Sequence, residues 1–200
     1  AYNWYLGGGK SRIEFNQDFP MELWEIPTAV AHETYPGHHS EYAIKEDRLY
    51  RGLGRLEHAI ILSNTPSALV SEGIASNALQ AVASEAEIET IYADCYARAG
   101  LPVRDAARAA AFAAAWRKLE SVLDNQVLLL YRDRAPEDKV IAYGMRYALT
   151  TAEDEGRTLR FLADPLSRSY TYNYTLGREL VAVFLDRAPD QTRAFQRLLA

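Results

Sequence analysis

The chain has 200 residues, 48% of them hydrophobic and 24% charged, with a net charge of −5 and a pI near 5.4. This is the composition of a soluble globular chain long enough for one sizeable core. The acidic balance, with no basic run, gives no electrostatic footprint for nucleic acid or an anionic membrane surface, and no apolar stretch approaches the ~18 residues of a membrane helix. In chain order, residues 1 to 19 read as a short hairpin or an edge strand around Gly7, Gly8 and Gly9. "GGGKS" lacks the full GxxxxGK[ST] spacing of a phosphate loop, which argues against nucleotide binding. From Met21 the pattern turns helical through Leu23, Trp24, Ile26, Ala29 and Val30, with Pro27 in a first turn.

After Gly54, "RLEHAIILSN" suggests a helix or its end, and "NTPS" is a stop followed by a start. A helical run from Pro66 to Gly100 is expected to break in the middle, and another opens at Pro102 with closely packing alanines and a Leu/Val stripe. Further helices are expected near 137 to 150, 151 to 163 and 173 to 187, with a terminal one after Pro189. Cys95 cannot form an internal disulfide and is expected to pack. The fold class is mainly α with a small N-terminal β element, and no linker or repeat divides the chain. It opens on Ala1 and is expected to be a processed chain or a piece of a longer one, soluble, and cytoplasmic or exported if an upstream signal is missing.

Three of the four histidines lie in "AHETYPGHHS", with Glu33 beside the first. The run begins like the zinc-protease signature HExxH, in which two histidines one helical turn apart bind zinc and the glutamate serves as base, but Pro36 stands where the second histidine belongs. On a straight helix His38 would sit about 240° around from His32, and His39 would be in line but about 10.5 Å along. Pro36 removes a helical hydrogen bond and Gly37 tolerates unusual angles, so a local bulge could return His38 to the ligand position, with His39 as the alternative. A third ligand is offered by Glu72, in "ALVSEGIASNAL". A carboxylate in an apolar helix is costly unless compensated, and Gly73 beside it suggests close backbone approach. His58 lacks such company.

The runs "IEFNQDFPMELWEIPTAVAHETYPGHHSE", "SEGIASNAL" and "YNYTLGREL" resemble the bacterial domain of unknown function 885 family. Its pattern is a strand ending in Asn, then HExxPGHH, then Glu-Gly, then a late Tyr-xx-Gly, and its members are regarded as zincin-like metallopeptidases of the glutamate-ligand type. The resemblance implies a single zincin-like catalytic domain over residues 1 to 200, the C-terminal part of a longer chain. It also implies Zn2+ held by His32, His38 and Glu72, Glu33 as general base, Asn16 at the end of the edge strand, and Tyr174 facing the reacting centre. Ile74 departs from the family's bulky aromatic after Glu-Gly. The expected activity is peptide hydrolysis of the carboxypeptidase or oligopeptidase type, and the strand from Lys10 to Asn16 either binds an extended peptide along its edge or pairs within its own hairpin. Arg178, one turn beyond Tyr174, could bind a substrate carboxylate or simply be solvated. The competing reading is a non-catalytic metal-binding or helical interaction module.

Overall fold

The computed structural model describes residues 1–18 and 21–200; Phe19, the last residue of the expected extended stretch, lies outside them. Strands β1 (Tyr2–Gly7) and β2 (Lys10–Glu14) form an antiparallel hairpin in which Tyr2 faces Glu14 and Tyr5 faces Ser11. The hairpin accounts for the glycine run as a turn. A 3-10 turn, Leu23–Glu25, leads into α1 (Ile26–Glu33), and α2 (His38–Lys45) runs on into a π-helical segment, Glu46–Gly52. "RLEHAIILSN" is only a short 3-10 turn, Leu56–Ala59, followed by exposed Ile60, Ile61 and Leu62, because nothing packs over these side chains.

Thr65 caps α3 (Pro66–Val82) by accepting from the Ala68 N–H. The expected break falls at Ser84, which opens α4 (Glu85–Arg98) with a reciprocal Ser84–Glu87 capping box that satisfies end donors on both sides. The stretch after Pro102 is two helices, α5 (Ala106–Trp116) and α6 (Ser121–Val127), separated by a 3-10 turn. The remainder is α7 (Glu137–Tyr147), α8 (Ala152–Ala163), α9 (Thr171–Asp186) and α10 (Gln191–Leu198). The protein is thus mainly α with a small N-terminal hairpin. Among the described residues no helix is long and apolar enough to cross a membrane.

Helices α3 and α9 form the spine. A Cβ on Gly73 would lie 2.2 Å from the Gly177 carbonyl oxygen, and one on Gly177 would lie 2.2 Å from that of Leu69, so only paired glycines let the two backbones touch. Asn77 Nδ2 ties the crossing by donating to Gly73 O at 2.8 Å and Arg178 O at 3.0 Å. Beneath it Ile74, Ala78 and Leu79 pack with Val181, Leu185 and Phe195. A second cluster, around Tyr92, Ala106, Ala109 and Ala113, joins α4 to α5 and receives Trp24. Helix α1 lies on α3 beside the first cluster, where Ala31 joins the core. That packing sets His32 over Glu72.

Candidate metal centre

The motif does not ride one bulged helix. Helix α1 stops at Glu33, the Tyr35–Pro36 peptide is cis, and a new helix begins at His38. The reason is steric: a proline at position 36 clashes with the carbonyl four residues back, at His32, and has no N–H to give. Gly37 completes the turn, its N–H donating to Ala31 O at 3.0 Å. A Cβ there would lie 2.0 Å from the His32 carbonyl oxygen, so the close approach excludes any other residue. The restart brings His38 edge-on to His32, with ring centroids 4.7 Å apart at 89°. His39 turns the other way, its Nδ1 2.8 Å from Ser11 Oγ of β2 and its ring against Tyr35.

His32, His38 and Glu72 each direct one ligand atom into a common space, all within 4.8 Å of one another. His32 Nε2 lies 3.3 Å from Glu72 Oε2, and His38 Nε2 lies 3.4 Å from Glu72 Oε1. Charge-assisted N–H···O bonds close to about 2.7–2.9 Å. Two ligands each about 2.0–2.2 Å from a tetrahedral zinc, by contrast, stand about 3.3–3.6 Å apart. The two observed separations, one to each oxygen of Glu72, fall in the second range. Glu72 Oε2 is also buried without a hydrogen-bond partner, an expensive condition that a cation relieves. The residues therefore fit zinc.

His38 is oriented from behind. Ser71 Oγ donates to Glu41 Oε2 at 2.5 Å and lies 3.2 Å from His38 Nδ1, so its remaining role is to accept from Nδ1–H. That fixes the tautomer with Nε2 free to ligate. Glu41 is fully buried and also takes a hydrogen bond from Lys45. Burial alone would lower the His38 pKa, but Glu41 and Glu72 on either side outweigh it and push it up to about 10. Burial likewise opposes the charge of Glu72, and His32 and His38 overcome it, holding the carboxyl well below its ordinary range. The pocket favours positive charge, whether proton or metal.

Two tyrosines of α9 close the site. Tyr170, just before the helix, donates its hydroxyl to Glu72 Oε1, and Tyr174 one turn on stands 6.4 Å from the His32 ring, centroid to centroid. Burial first, then the charges of Glu72 and Glu33, push the Tyr174 phenol up and keep it protonated. Glu33 is itself buried, and its carbonyl accepts from Asn3 Nδ2 at 2.5 Å, which fastens the hairpin to the end of α1.

No family model, curated protein or solved structure matches this chain.

Two expected contributors sit differently. Strand β2 ends at Glu14, not at Asn16, whose exposed side chain folds back to accept the Asp18 N–H at 2.9 Å, a local turn that competes with strand pairing. Arg178 is neither simply solvated nor aimed at the ligand trio; it pairs with Glu120 and donates to Arg117 O at 3.2 Å. Sequence reasoning missed Ser71, Glu41 and Tyr170. Ser71 precedes Glu72 and Glu41 follows His38 by three, so a carboxylate one turn from a ligand histidine was the available signal.

Proposed function

We propose that the chain is a zinc-dependent peptidase in which His32, His38 and Glu72 hold the ion and Glu33 is the general base. The ligand spacing, closer to that around a tetrahedral ion than to that of direct hydrogen bonds, carries this reading. The resemblance in "HETYPGHH" and "SEG" points the same way. Zinc bound there supplies Lewis acidity, bringing the pKa of water within reach of neutrality and polarising a peptide carbonyl. Glu33, next to His32 and shielded from bulk water, takes the proton of the attacking water and delivers it to the leaving amine. The protonated Tyr174 phenol donates to the carbonyl oxygen as negative charge builds on it. Tyr170 holds Glu72 in place from the other side.

Elemental analysis of protein purified without chelator is expected to give about one zinc per chain, lost in His32→Ala and Glu72→Ala. Glu33→Gln should retain zinc and cleave a mixed peptide library about 10²–10⁴-fold more slowly. Wild-type protein that refuses zinc overturns the proposal. One observation favours a non-catalytic reading: a protonated His38 pairs directly with Glu72 Oε1, a contact that needs no metal. Zinc retained with no cleavage, or no zinc at all, would decide for it.

A further inference from the structure

Beside the ligand trio lies a second, cationic cluster. Arg178 follows Tyr174 by four residues on α9, and Ser76 follows Glu72 by four on α3, in each case a rise of about 6 Å. Arg117, from the turn between α5 and α6, donates from Nη2 to Ser76 O at 3.1 Å, while Arg178 donates to Arg117 O and pairs with Glu120. Arg178 thus starts from the backbone one helical turn beyond Tyr174, and Arg117 is tied to the backbone one turn beyond Glu72. With Lys118, Asn77 and Thr175 they line a surface cleft of about 360 Å³.

Arg117, Lys118 and Arg178 meet three carboxylates, Glu120, Glu179 and Asp124, the last accepting from the lining Thr175, so what the cleft offers an anion is unused N–H donors and not a net charge. Among the described residues, contacts within the protein take two N–H donors of Arg178 and one of Arg117, out of five on each guanidinium. Burial, and then the neighbouring charge of Arg178, press the Arg117 pKa below its ordinary value. The Glu120 carboxyl is raised by burial and drawn down by both arginines.

We infer that this cleft receives the free C-terminal carboxylate of a peptide, with Arg178 and Arg117 as its anchors. An extended chain advances about 3.3–3.6 Å per residue, so a carboxylate one or two residues past the bond to be cut spans the turn between the trio and the arginines. The planar guanidinium matches a carboxylate, and two of them, fixed in advance, lose little freedom on binding. The inference rests on the peptidase reading and narrows it to removal of one or two residues from the C-terminus.

The test is calorimetric titration of N-acetyl-Gly-Phe and its C-terminal amide into zinc-loaded and metal-free protein, for wild type, Arg178→Gln and Arg117→Gln. Melting curves and zinc content serve as controls on the fold. The free acid is expected to bind wild type about 10–100-fold more tightly than the amide, with or without zinc, and the advantage should collapse in both variants. The exposed Lys118→Gln, which leaves the packed arginines alone, should reduce it about two- to threefold. Equal binding of acid and amide, no measurable binding of either, or an advantage that survives in both arginine variants because the carboxylate sits on the metal, each overturns the cleft. An arginine-dependent advantage in protein that takes up no zinc would keep the cleft and discard the peptidase. Zinc-dependent cleavage indifferent to the terminal carboxylate would do the reverse.

Discussion

The two nitrogens of His38 meet different partners, Nδ1 facing Ser71 and Nε2 facing Glu72, and the charge of the ring links pH to metal. In metal-free protein its pKa stands at about 10, against about 6.5 for an unfolded histidine. A raised folded-state pKa gives stability that is complete below pH ~6.5 and is lost as pH climbs towards 10. Zinc must displace that proton, so its apparent affinity rises over the same range. Thermal melts from pH 6 to 10 should therefore show the metal-free midpoint falling while the increment due to zinc grows; a pH-independent increment would mean that His38 is not a ligand. Ser71→Ala removes the acceptor for Nδ1–H and frees Glu41 from its shortest tie to the histidine. Zinc affinity should fall about 10–100-fold in a competition titration while the fold persists, and an unchanged affinity would reduce Ser71 to a packing residue.

At the scale of elements, the site depends on a helix that ends early and another that begins at once. Gly37 makes the junction possible, since a Cβ would press on the His32 carbonyl at 2.0 Å and backbone cannot give way as a flexible side chain can. Gly37→Ala is expected to cost about 1–3 kcal/mol or more in chemical denaturation and to separate His38 from His32, with loss of zinc at equal protein concentration. Full zinc occupancy in that variant would show that the junction tolerates a methyl group. The junction also marks what could be read from residues alone. Proline and glycine announced a distortion, and the glycine beside Glu72 announced close approach, because both carry their geometry in their own covalent structure. Whether the distortion was a bulge or a restart depended on α2 docking against α3 and the hairpin, which no local pattern encodes. Tyr170 was hidden for a like reason: "SYTYNYT" alternates, but once the segment is helical, Tyr170 and Tyr174 share a face while Tyr172 turns to the Asp124 carbonyl.

Over the whole molecule, helices bounded by strong punctuation were legible. Thr65-Pro66, the Ser84–Glu87 box and Pro136 each satisfy or remove end donors locally, so the boundaries follow from the residues on the spot. The turn dividing α5 from α6 was not, because Arg117 to Leu119 carry no Pro, Gly or capping residue, and the side-chain bond from Arg117 Nη2 to the Ser76 carbonyl joins residues 41 apart. Separation along the chain also orders events in time. The three residues proposed as ligands lie between positions 32 and 72, yet the phenol that closes on Glu72 comes from 98 residues further on. Helix α3, which carries Glu72, rests its glycine face on α9, and contacts between distant segments form slowly. Refolding with zinc and a chromogenic metal indicator should accordingly show metal capture and tyrosine burial with one shared rate constant. Capture running well ahead would mean that the first half of the chain grips the ion alone; a single rate would make zinc uptake the clock of the last docking event.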